Sequence, residues 1–248
     1  MKNGLLNFAS PLIAFLLWEI LSQTGIIDIR FFPPPSDVLV HLFTVSPEEG
    51  ILTDIGASLY RIFFGYTLGV SVGIALGIAI GLSNRVRIVF YPIIALLYPI
   101  PKIAILPLIM LIFGIGDLSK IVVVFIGSFF LVLINTVHGV ASISKIHHQV
   151  GQVYRIPRWN FVLRIILPGS LPAIFTGLKL AIGYSLVIVV AAEFSGANAG
   201  IGYLIWQSWE TFSILSMYAG IFVIAALGFI FTFGLEYLEK RLLPWVQR

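Results

Sequence analysis

Apolar residues in this chain come in long runs, not in alternation. The runs cover 5–27, 57–82, 88–113, 119–140, 173–194 and 212–235. Each is close to the ~20 residues a helix needs to cross a bilayer core. The pattern predicts an all-α polytopic membrane protein with about six transmembrane helices. The longest polar and basic interval between two strongly apolar segments runs from Ala141 to Pro172. It carries Lys145, His147, His148, Arg155, Arg158 and Arg164, and no acidic residue. An interval of that kind offers a partner something to hold.

The polar breaks give further expectations. The first run lacks a small-x-small cleavage pattern and is interrupted by Trp18-Glu19, so it reads as a retained helix and not a signal peptide. Residues 28–54 contain Pro33-Pro34-Pro35, which cannot continue a helix, and read as an acidic external loop with a short helix capped by Ser36. In the second run Gly65, Gly69, Gly73, Gly77 and Gly81 recur every fourth residue. That stripe lets another backbone come close, either within the bundle or from a second copy. The third run holds Pro92, Pro99, Pro101 and Pro107, so it bends. Broken helices at membrane depth are tolerated where they are buried in protein or line a wet cavity, and this one is expected to border a pathway. Asp117 or Ser119 is expected to cap the fourth helix. The fifth is expected to start after Pro172, with a glycine-rich external excursion over 195–211. Its Tyr203, Trp206 and Trp209 suit the headgroup level.

Composition agrees. The chain of 248 residues is 59% hydrophobic and 10% charged, against about 25% charged for a soluble domain. Six helices leave no room for a separate soluble domain, so one transmembrane domain spans 1–248. The net charge of +4 is not a nucleic-acid signal once it is sorted by side. With the N-terminus inside, the cytoplasmic face collects Lys2, Arg85, Arg87, Lys145, Arg155, Arg158, Arg164, Lys240, Arg241 and Arg248. The outside keeps Arg30, Arg61 and Lys120 together with most of the acids. This places both termini in the cytoplasm.

Cysteine is absent, which excludes disulfides and thiolate chemistry. His147 and His148 diverge on a helix, so no metal site is expected. No phosphate-binding G-x-x-x-x-G-K-[ST] loop and no catalytic constellation occur, so any ATP hydrolysis belongs to another chain. Four ionisable groups lie inside apolar runs: Glu19, Lys102, Lys179 and Glu193. Charges in lipid are costly and often functional. Lys102, among its prolines, is the best pathway candidate. It can attract an anion, or it can snorkel or bond carbonyls. With Pro99, Pro101 and Glu193 it forms the candidate substrate pathway, although Glu193 suits a gate or loop anchor equally. Lys179 is expected to snorkel, and Glu19 to be structural.

The central interval also carries a motif frame: Gln149-Val150-Gly151, three residues, Arg155, nine residues, then Ile165-x-Leu167-Pro168. It resembles the E-A-A…G…I-x-L-P loop of ABC-importer permeases, with Gln149 in place of the acidic residue and Arg155 in place of glycine. The segments FFPPPSDV (31–38), PIPKIAILPL (99–108), FGIGDLSKI (113–121) and LPGSLPAIFTGLKLAIGYSLVIVVAAEF (167–194) resemble the nitrate/sulfonate/taurine group of these permeases. The resemblance implies a type I ABC importer permease, a homodimer moving a small solute such as nitrate, a sulfonate, taurine or bicarbonate. Riboflavin or a pyrimidine precursor is the alternative within the class, and an ion-coupled secondary transporter the alternative outside it. It implies two cytoplasmic ATP-binding subunits holding ATP and Mg, an external substrate-binding protein, and membrane lipid around the helices. It also implies a coupling helix over about 143–156, with Gln149, Val150, Gly151, Tyr154, Arg155, Ile156 and Pro157 serving the ATPase. Because Arg155 would be strained at a left-handed position and Pro157 follows, that helix is expected to stop at 154–155 by a proline-driven turn without positive φ.

Overall fold

The computed structural model describes residues 4–44 and 50–245, and their regular structure is helical. Lys2, Glu48, Glu49 and Arg248 of the charge tally lie outside the described residues. The order is α1 Gly4–Gln23, α2 Pro35–Thr44, α3 Ile51–Gly81, α4 Asn84–Leu97, a 3₁₀ turn Lys102–Ile105 leading into α5 Leu106–Phe113, and α6 Asp117–Ala141. There follow α7 Lys145–Val153, α8 Arg158–Phe161, a π-helical stretch Val162–Ile166, α9 Leu167–Glu193, α10 Ile201–Glu210 and α11 Ile214–Leu242.

Four stretches are long and apolar enough to cross a membrane: Ile51–Gly81, Asp117–Ala141, the run Arg158–Glu193 and Ile214–Leu242. The pair Asn84–Leu97 and Lys102–Phe113 makes a fifth, bent by 80°. The Ala9–Gln23 part of α1 is apolar but shorter. All six expected runs are therefore helical, and the third is broken where Pro99 and Pro101 withhold their amide donors.

The chain packs as two compact units, Met1–Ala57 with Asn198–Ala225, and Ser58–Ala197 with Ala226–Arg248. In the first, the Trp18 ring of α1 lies 5.5 Å from Tyr218 and 5.8 Å from Phe222. Glu19 accepts from the Ser36 amide at 3.0 Å and from its hydroxyl at 2.7 Å. That corrects the expected cap. The helix starts two residues earlier, at Pro35, whose missing N–H costs nothing in a first turn. The Ser36 hydroxyl is a donor to Glu19, which is the structural residue it was expected to be. The Asp54 carboxylate accepts the Gly200 amide at 2.7 Å, and Gly200 has φ 133°. The expected excursion over 195–211 contains a helix, α10.

In the second unit α6 is the central rod. The glycine stripe of α3 lies along it. A Cβ on Gly65 would stand 2.7 Å from the Ile121 carbonyl, on Gly77 2.5 Å from Thr136 Cβ, and on Gly81 2.6 Å from Val140 Cβ. The stripe thus serves packing within the chain. On another side of α6, Gly139 meets Ala173 and Ser170, and Gly177 of α9 meets Asn135 and Val132. Val123, Val124, Val132, Ala181, Val189 and Ala192 of α6 and α9 are fully buried. Gly116, not Asp117 or Ser119, precedes the first turn of α6. The Ser119 hydroxyl donates to the Gly116 carbonyl at 2.9 Å, and Asp117 is taken by Arg61. The fifth helix begins before Pro172, because Pro168 falls in the first turn of α9 and a single interior proline is absorbed. The Leu167 amide reaches back to the Val162 carbonyl, a widened turn directly ahead of the non-donating Pro168.

Candidate functional site

The motif loop is a short helix with a defined stop. Ser144 caps α7 by accepting the Ile146 amide at 3.3 Å. At the far end Ile156 N–H donates to the Gly151 carbonyl at 3.0 Å and Arg155 N–H to the Gln152 carbonyl at 3.1 Å. This six-to-one and five-to-two pair is a Schellman motif, with Arg155 in its left-handed slot at φ 49°. The expectation of a turn without positive φ is therefore overturned. The backbone keeps the geometry that the resembling loops give to glycine, and Arg155 bears the strain. Two further amide bonds outweigh a penalty of about 1–2 kcal/mol.

Ile146, Val150 and Val153 recur at i, i+4 and i+7, with Tyr154 beside them, and all face outward. Val153 is 77% and Tyr154 76% exposed. Gly151 is buried on the other side, where a Cβ would stand 2.6 Å from the Phe161 ring. The helix is thus seated on α8 by a glycine contact and shows its apolar face to its surroundings. Gln149 is exposed on α7, and Ile156 is half-buried at the turn with exposed Pro157. The expected coupling residues are contiguous in space. Ile146 and Val153 were missed by following the motif frame, although the spacing of apolar residues marks them.

The pathway candidates separate into two places. Pro99, Pro101 and Lys102 line a cavity of 410 Å³ with Tyr98, Ile100, Gly127, Phe130, Leu131, Leu180 and Tyr184. Lys102 is 4% exposed. Its ammonium donates to the carbonyls of Leu97 at 2.8 Å, Tyr98 at 3.1 Å and Ile100 at 2.9 Å, and lies 4.5 Å from the Phe130 ring centre. The Leu97 carbonyl would have bonded the amide of residue 101, but that residue is proline. The lysine therefore closes the gap that the prolines open.

Glu193 is not in that cavity lining. It is fully buried and pairs with Arg61 Nη1 at 2.7 Å, and it accepts from the Ser58 hydroxyl at 2.8 Å and 2.9 Å. Arg61 Nε donates to Asp117 at 2.8 Å. Lys120, also buried, donates to the Gly116 carbonyl at 3.2 Å and the Gly196 carbonyl at 3.4 Å. This ionic knot ties one end of α9 to α3 and α6. Arg61 was missed as a partner because it lies 132 residues from Glu193 and was counted only among the external charges. The Lys179 ammonium meets Glu239 at 3.0 Å. Among the described residues no group of three His, Cys, Asp or Glu is placed to hold a metal.

Residues 69–244 match the family described as "Binding-protein-dependent transport system inner membrane component". The chain is 35% identical over 245 residues to the taurine transport system permease protein TauC of Escherichia coli (strain K12), covering 97% of this chain and 89% of that one. It is 33% identical over 247 residues to the putative aliphatic sulfonates transport permease protein SsuC of the same organism, covering 98% and 94%. Among solved structures, the fold matches a chain from inward-facing conformations of the MetNI methionine ABC transporter, with TM-score 0.63 and 17% identity over 75% of this chain and 91% of that one.

Proposed function

We propose, for a chain that belongs to the binding-protein-dependent transport system inner membrane components, that force from a separate ATPase enters through α7 and opens a pathway for a small oxyanion. The chain is a permease subunit of an ABC importer, a non-catalytic protein of the inner membrane. Residues 1–248 act as one permease domain with its coupling loop at about 141–168. Two copies pair around one pathway. Two cytoplasmic ATP-binding subunits, which carry the ATP and Mg, dock on the two α7 helices, and an external substrate-binding protein delivers the solute. Both termini are cytoplasmic, and lipid surrounds the helices.

The observation that carries this is the uncovered apolar face of α7. Ile146, Val150, Val153 and Tyr154 stand exposed on a helix whose opposite side is fixed by Gly151 against Phe161. Exposed apolar groups at helical spacing fit the groove of a partner. Gln149, Arg155, Ile156 and Pro157 complete the contact, with the Schellman turn fixing where the helix ends. From α7 the chain runs through α8 and the π-helical stretch, where Ile165-x-Leu167-Pro168 joins it to α9, so a push on α7 is passed to a membrane-spanning rod. The oxyanion assignment rests on the sulfonate-type relatives and on Lys102.

The test is copurification with the ATPase subunit from the same cells. Val153→Asp with Tyr154→Asp is expected to abolish copurification while the permease stays in the membrane fraction. A double variant that retains its ATPase overturns the docking assignment.

A further inference from the structure

We infer that the end of the α7 loop grips a carboxylate of the ATPase subunit between Arg155 and Arg158, so that the partner surface is acidic at that point. This rests on the docking reading above and adds the chemistry of the partner's side. The Schellman bonds explain the left-handed turn at position 155, but not the side chain that stands in it. Glycine makes the same two amide bonds without strain, and the resembling loops have glycine there. Arg155 takes φ 49° instead. Nothing within the chain offsets this: among the described residues the carboxylate ion pairs go to Arg30, Arg61 and Lys179, and none to Arg155 or Arg158. A strained side chain with no use inside its own fold points to a use outside it.

Arg158 stands beside it. The two arginines line one cleft of 320 Å³ with Gly151, Gln152, Ile156 and Phe161, and both are exposed. The backbone beneath them is fixed, by Gly151 against the Phe161 ring and by the amide bonds that end α7. Two planar forks of N–H donors on one cleft match the oxygens of a carboxylate. From Leu118 to Ala192 the chain has no Asp or Glu, and Gln149 stands where the resembling loops carry an acid. The loop is therefore basic throughout, and its electrostatic complement is a groove that supplies the acids. The cleft continues the apolar docking face, because Val153 and Tyr154 directly precede Arg155. A lipid headgroup asks only for a flexible cation near the surface; a guanidinium held in a strained turn suits a partner group at one fixed place.

The experiment measures binding of the ATPase subunit from the same cells to the full chain in nanodiscs of neutral or of anionic lipid, at low and at high salt. Arg155→Gly with Arg158→Gln removes both charges and keeps the turn, which glycine suits. In neutral lipid, binding by this variant should be at least about tenfold weaker than wild type at low salt, with a shallower loss as salt is added. In Arg158→Lys a carbodiimide should join the introduced amine to an Asp or Glu of the ATPase, read from the cross-linked peptide. Unchanged affinity and salt response in the double variant, or no carbodiimide product with the ATPase, overturns the clamp. A loss of binding confined to anionic nanodiscs assigns the arginines to headgroups and overturns it as well. Val153→Asp with Tyr154→Asp is measured alongside. If that variant keeps the ATPase, the docking reading falls; if it loses the ATPase while the arginine variant does not, the clamp alone falls.

Discussion

Replacing Glu193 by glutamine tests what holds the outer-numbered end of α9. The carboxylate is fully buried, 2.7 Å from Arg61, and takes two contacts from Ser58. Glutamine keeps the volume and one acceptor oxygen but removes the charge. Breaking a buried pair by losing one partner costs about 3–5 kcal/mol, because the other charge stays buried. Arg61 keeps Asp117 at 2.6 Å, and that carboxylate is half exposed, which reduces the loss to about 2–4 kcal/mol. For a chain of this size, about 2–4 °C per kcal/mol places the drop in unfolding midpoint at about 5–15 °C. The assay is thermal unfolding of the detergent-solubilised permease. Arg61→Met with Glu193→Leu should recover most of the loss, since a buried pair exchanged for apolar groups of similar volume is often neutral. A single variant within about 2 °C of wild type, or a double variant no better than the single, refutes this account of the knot.

Three other outcomes follow from the same geometry. Arg155→Gly relieves a residue at φ 49°; after glycine's own entropy cost it should stabilise the end of α7 by about 0.5–1 kcal/mol, seen as slower hydrogen exchange at Arg155 and Ile156 amide positions. Gly77→Leu drives a side chain into Thr136, whose Cβ would be 2.5 Å from the new Cβ; a loss of at least about 1–3 kcal/mol should appear as a lowered unfolding midpoint, and tolerance would mean that α3 and α6 do not touch there. Arg30 holds the Asp28 carboxyl down to about 2 from its ordinary 3.8. A folded value below the ordinary one stabilises above 3.8, and that contribution is lost as pH falls towards 2; Arg30→Met should raise the Asp28 titration, followed by NMR, only part of the way back, because the amide of residue 30 still donates to the carboxylate.

Much of the molecule was legible from local pattern. Long apolar runs set the helices, because backbone groups in lipid must be bonded within their own segment. Pro99 and Pro101 marked the break, because an imino nitrogen cannot donate wherever it sits. The glycine stripe marked a close helix contact, because spacing of four keeps one face small. The motif loop was visible as the basic interval ending in Ile165-x-Leu167-Pro168.

Tertiary structure decided the choices that local pattern left open. It chose α6 as the neighbour of the glycine stripe. It placed Arg155 in a left-handed turn, because the amide bonds to Gly151 and Gln152 outweigh a local preference. It gave Glu193 to Arg61 and Lys179 to Glu239, pairs separated by 132 and 60 residues. It gathered three backbone carbonyls and the Phe130 ring around Lys102. A charge in an apolar run announces that it needs a partner, but the partner's identity depends on which helices pack together, and chain-distant packing is not written in any one segment.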